Sequence, residues 1–191
     1  MSRPNQLAAP LEATDRARAR ALKSKVRDRV SDVRRHLLAL RTAMAEFGED
    51  FDLGVFRAAY ASEDPVELNH VKAVERGVDQ LYNYIAELSA FGLELAELRG
   101  RRDETNARLD LETLRRAHVL SGELTSRLQR LRELRRLFAH EYATATAEQV
   151  HESALLVAGS FPAFYEAYRE WIELGFRRGE AIGRASCRER V

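Results

Sequence analysis

The chain is poor in residues that break helices or staple loops. Its 191 residues include one cysteine, four prolines and ten glycines. One cysteine excludes an internal disulfide and any cysteine-rich zinc site. No stretch approaches the roughly 20 uncharged apolar residues that a membrane-spanning helix needs. Met1 to Pro10 lacks the apolar core of a secretory leader, so secretion is not expected and a cytoplasmic location is. Strand-like alternation and hairpin turn signals are missing, as are internal repeats, a P-loop, a GxGxxG and an HExxH. His36, His70, His118 and His151 form no pair with metal-ligand spacing to a carboxylate, so neither a metal nor a cofactor is expected.

What is present favours helix. Hydrophobic residues make up 45% of the chain and charged residues 32%, too apolar a mixture for a mainly disordered protein. Ala, Leu, Arg and Glu are abundant, and all four are strong helix formers. Residues 1–13 read as a flexible lead-in containing Pro4 and Pro10, and Thr14 is a candidate N-cap. Apolar residues then recur at Leu22, Val26, Val30, Val33, Leu37, Leu40, Met44 and Phe47, in steps of four and three, up to Gly48. This is one stripe on one long helix over 14–48, which must lie on a helical body or on a second copy of itself.

The rest, 49–181, reads as the bundle body. A turn and short helix are expected over Glu49–Ser62, and Ser62-Glu63-Asp64-Pro65 is a helix-start signal. Further helices are expected over Val66–Leu98, Leu109–Val119 and Gly122–His140. Thr146 caps the last one, which carries Phe161, Phe164, Tyr165, Tyr168 and Trp171. Those aromatics suit a core or a dimer surface better than an RNA-stacking platform. The fold class expected is all-α, an antiparallel bundle of four to five helices with an extended N-terminal helix.

The last ten residues, Ile182 to Val191 (IGRASCRERV), translate a common sequencing-adapter sequence in one reading frame. The natural gene is therefore expected to depart from this sequence after about Ala181. Without that tail the charge is uneven. Residues 1–41 hold eleven Lys or Arg against four Asp or Glu, a net of +7, whereas residues 42–181 sum to −8. A basic N-terminal section can attract nucleic acid or an acidic partner surface, or can simply be a solvated helix face.

The informative stretch is Leu124 to Tyr142, LTSRLQRLRELRRLFAHEY. Leu124, Leu128, Leu131, Arg135, Phe138 and Tyr142 follow in steps of four and three, so Arg135 falls where the stripe calls for an apolar residue. An unpaired guanidinium is costly to bury, so Arg135 must meet an anion, a carboxylate or a solvent-filled cleft, or reach out from the bundle edge. Leu134 could define the stripe instead. Glu75 is a candidate partner for a motif Arg, and equally a solvated helix residue.

Arg135, His140 and Tyr142 form the pattern R-x4-H-x-Y. Here the sequence resembles the HEPN superfamily, specifically HepT-like toxins of MntA/HepT toxin–antitoxin systems. The likeness extends to Asn69–Arg76 (NHVKAVER), to the short helix at Leu111–Leu120 and to the closing aromatic helix, covering about residues 50–175. The N-terminal helix is longer and more basic than the family's. Family members commonly carry Asn or another small polar residue after the motif Arg, where this chain has Arg136. On a regular helix, positions five apart diverge by about 140° and positions four apart by about 40°. Arg136 is thus the better geometric neighbour of His140 and Arg135 the better match to the motif. Both are kept, with Arg135 first.

The resemblance implies a metal-independent endoribonuclease, the toxin of a type VII-like toxin–antitoxin system, acting on tRNA or other RNA. It implies a homodimer that sets two motifs across one cleft, without a cofactor. The catalytic pair would be Arg135 and His140, with Arg136 auxiliary. It also implies a minimal nucleotidyltransferase antitoxin that transfers AMP onto Tyr142, adding charge and bulk beside the site. The residue types suit this chemistry: His serves as base or acid near neutral pH, and Arg offers a planar fork to phosphate. The alternative is a non-catalytic HEPN-like module that binds a partner protein or nucleic acid. The tail reading has its own check: resequencing the locus should give a natural sequence that departs from IGRASCRERV, and a genomic read through Val191 would overturn it.

Overall fold

A computed structural model describes residues 13–97, 111–116, 118–140 and 145–188. The described residues are all helical apart from turns. The elements are α1 (Ala13–Ala45), α2 (Leu53–Tyr60), α3 (Pro65–Glu97), α4 (Leu111–Arg116), α5 (Gly122–His140) and α6 (Ala147–Arg188). Four are long and build the bundle, while α2 and α4 are short connectors of eight and six residues. The expected all-α bundle is thus the observed fold. No helix among the described residues is long and apolar enough to cross a membrane.

Short-range polar groups set the helix ends. After α1 the chain turns through Gly48, whose φ of 96° suits glycine. Asp52 then caps α2, accepting from the Val55 N–H at 2.8 Å. Asp64 accepts from the Val66 N–H at 2.8 Å, and Pro65 opens α3, where its missing N–H costs nothing. Ser121 Oγ accepts from Leu124 N–H at the start of α5. Thr146 and Gln149 cap α6 reciprocally, each side chain accepting from the other's backbone N–H. α4 stops sooner than the apolar spacing predicts. His118 takes a left-handed φ of 58°, and the N–H groups of His118 and Val119 close back onto Arg115 and Leu114.

The core lies where the stripes meet. Val71, Val74, Val78, Leu81, Ile85 and Leu88 form an unbroken buried row along α3. Val33, Leu40, Ala43 and Phe47 of α1, and Val157, Phe161, Phe164 and Tyr168 of α6, are buried in the same cluster. α1 and α3 run antiparallel: Arg29 pairs with Glu87 at 3.3 Å, His36 lies by Tyr84, and Phe47 lies by His70. The approach is closest at Gly77, where an added Cβ would stand 2.9 Å from Leu40 Cδ1 and 3.0 Å from its Cβ. α5 and α6 are also antiparallel neighbours, tied by Arg130 to Glu152 at 2.8 and 3.0 Å.

Two glycine substitutions separate helix propensity from packing. Gly77→Ala should lower stability by about 1–3 kcal/mol, because Leu40 is fully buried and has no room to retreat. Gly159→Ala, with nothing within 4 Å of the new Cβ, should raise it by up to about 1 kcal/mol. Urea unfolding followed by circular dichroism reads both; a stabilised Gly77→Ala would show that the close approach is not a constraint.

Candidate functional site

Of the residues singled out by sequence, Arg135, Arg136 and His140 occupy positions in the last two turns of α5. Leu134 is buried at 2% exposure and continues the row of Leu124, Leu128 and Leu131. Arg135 is therefore displaced to the edge of that row, with its side chain 22% exposed. It reaches α3, where Nε stands 3.0 Å from Asp79 Oδ1, and its Cζ lies 5.8 Å from the centre of the Tyr82 ring. The Nε–H is buried and makes no directed hydrogen bond, so the contact with Asp79 is Coulombic. The guanidinium is thus held by a carboxylate and a ring face without being fully engaged.

Glu75, weighed above as a partner for a motif Arg, lies one turn before Asp79 and does something else. It accepts from Lys72 Nζ at 2.6 Å. That bond is the largest influence raising the ammonium's pKa. Glu75 also sits beside the Tyr60 hydroxyl. Tyr60 donates to the Ala145 carbonyl, at the point where the chain enters α6. Arg57 of α2 pairs with Glu148 at 2.7 Å one turn further on. His140 is the last helical residue of α5; its side chain and that of Arg136 lie outside the described residues, as does Tyr142 altogether. The chain is therefore anchored on both flanks of residues 141–144, by Arg135 on Asp79 before them and by Ala145 on Tyr60 after them.

His151 shows what sequence reasoning missed. Its Nε2–H donates to the Phe51 carbonyl at 2.6 Å, and its ring stacks on Phe51 with centres 4.4 Å apart. Phe51 has a φ of 53°, a strained conformation for a residue with a side chain. His151 thus pins the turn between α1 and α2 to α6. No local pattern announces a pair separated by one hundred positions. Among the described residues, no group of three His, Cys, Asp or Glu side chains could hold a metal ion. Compared with known proteins, the chain matches no family model, no curated sequence and no solved structure.

Burial, with the Glu75 charge second, raises the Tyr60 pKa above its ordinary 10.0. The folded state therefore favours the neutral phenol over the phenolate more than the unfolded chain does. The resulting stabilisation is complete below pH 10 and is lost as pH climbs through the raised value. Tyr60→Phe should remove this alkaline loss and, by deleting the bond to Ala145, cost about 1 kcal/mol at neutral pH. Unfolding curves at neutral and alkaline pH test it; an unchanged alkaline limb in the variant would discharge Tyr60 from the role.

Proposed function

We propose that this chain is a HepT-like endoribonuclease toxin whose site is the R-x4-H-x-Y end of α5. The supporting observation is the placement of Arg135, a cation at the rim of the core, partly open to solvent and only loosely held by Asp79 and Tyr82. A guanidinium so placed can exchange its carboxylate for a phosphate oxygen.

In the proposed reaction the RNA supplies its own nucleophile. His140 takes the proton of the ribose 2′-hydroxyl, the 2′-oxygen bonds to the adjacent phosphorus, and the P–O5′ bond breaks. The leaving 5′-oxygen takes a proton from the His140 imidazolium of a second copy. The products are a 2′,3′-cyclic phosphate and a 5′-hydroxyl. Arg135, with Arg136 auxiliary, offsets the charge gathering on the phosphorane. AMP transferred to Tyr142 by a minimal nucleotidyltransferase antitoxin would set an anionic, bulky group beside the same α5 terminus and exclude the RNA.

A second reading, a non-catalytic helical module, takes the Arg135–Asp79 contact as a purely structural clamp between α5 and α3. RNA cleavage separates the two. The purified chain should cleave tRNA or total RNA equally with and without EDTA, and His140→Ala should lower the rate by at least about a hundredfold. Equal cleavage by the His140→Ala variant, or none by either chain, favours the clamp. Incubation with the antitoxin, ATP and Mg2+ should add one AMP mass to the Tyr142 peptide; an unmodified peptide removes that role.

A further inference from the structure

One face of α1 carries a line of cations that the mechanism above does not use. At 3.6 residues per turn, Arg16, Arg20, Lys23, Arg27, Arg34 and Arg41 fall within a sector of about 60°. Four of them, Arg20, Arg27, Arg34 and Arg41, repeat at every seventh residue. The line is about 37 Å long. Arg20, Arg34 and Arg41 are exposed, and none of the three makes an ion pair among the described residues. On the helix the row lies beside the buried stripe of Val33 and Leu40, not on it, and packing α1 against α3 leaves Arg34 and Arg41 uncovered.

Several described cations on the other helices are held differently. Lys72, Arg115, Arg127, Arg130 and Arg169 each pair with a carboxylate three or four positions away on their own helix. On α1 itself, Arg35 pairs with Asp32. Arg20, Lys23, Arg27, Arg34 and Arg41 have no Asp or Glu three or four positions away on either side. The acids of α1, Asp15, Asp28 and Asp32, all fall outside the sector.

We propose that this stripe is a docking track for the phosphate backbone of a single RNA strand. The inference deepens the nuclease reading by stating where the substrate lies, and it rests on that reading for RNA over other polyanions. A line of one sign, with no acid in its sector, fits a polymer with a charge on every residue, whereas the acidic body of a protein interleaves both signs. Five of the six cations are Arg, whose planar fork takes phosphate oxygens in pairs.

The test uses a labelled single-stranded RNA with 2′-O-methyl riboses, which cannot be cleaved, so binding is read independently of nuclease activity. The full chain should bind it with a log K against log salt slope of about −2 or steeper. Arg20→Gln, Arg34→Gln and Arg41→Gln combined should weaken binding about tenfold at low salt and flatten the slope by about 2, at unchanged helix content by circular dichroism. A wild-type slope shallower than that overturns the proposal without any variant. So does an unchanged slope in the triple variant, or tighter binding of polyglutamate than of the RNA, which would mark the stripe as a site for an acidic protein. A chain that binds by this slope and yet never cleaves unmodified RNA keeps the track and loses the nuclease.

Discussion

The architecture rests on how closely α1 and α3 approach. Two helices of 33 residues lie antiparallel, and at their tightest point one contributes only the hydrogen of Gly77 while the other contributes all of Leu40. That contact fixes the depth to which the α1 stripe sinks into the row from Val71 to Leu88. It also determines which side of α3 stays available. With Val74, Val78 and Leu81 turned to the core, Glu75, Asp79 and Tyr82 are left partly exposed, where α2 and α5 reach them. The polar contacts of the candidate site are in this sense a by-product of hydrophobic packing one residue away.

A second layer of order comes from hydrogen bonds and ion pairs at the beginning of α6. The Thr146–Gln149 cap, Tyr60 on Ala145, Arg57 on Glu148 and His151 on Phe51 all act within about two turns of that helix. The surface ion pair adds little by itself. The partly buried contacts made by Tyr60 and His151 add more, because breaking either strands a polar group. Together they register α2 against α6, and through Tyr60 and Glu75 against α3.

The sequence reports local physics well and distant pairings poorly. The stripes of α1 and α3, the proline at the head of α3 and the Thr146 cap are visible because their partners sit within a few positions. Arg135 was ambiguous for a definite reason: Leu134 and Arg135 are adjacent, about 100° apart, and a period of 3.6 admits either to the stripe. Only packing decides, and it buries Leu134. Asp79 was missed because its tie to Arg135 crosses between helices, although its register with Glu75 and Tyr82 was a usable clue. The strained Phe51 and its histidine partner carry no sequence signal at all.

The Asp79 contact has an implication for how a phosphate would be handled. A resting phosphodiester carries one negative charge, no more than the carboxylate it would have to displace, so Arg135 would gain little by changing partners when a strand first arrived. The pentavalent phosphorus species carries two. Were the chain the nuclease proposed, only then would the exchange become favourable, and a carboxylate in this position would convert a general-purpose anion binder into one that discriminates by charge state. An arginine with a built-in competitor would then hold its ground-state ligand loosely and reserve its strongest attraction for the moment of bond rearrangement.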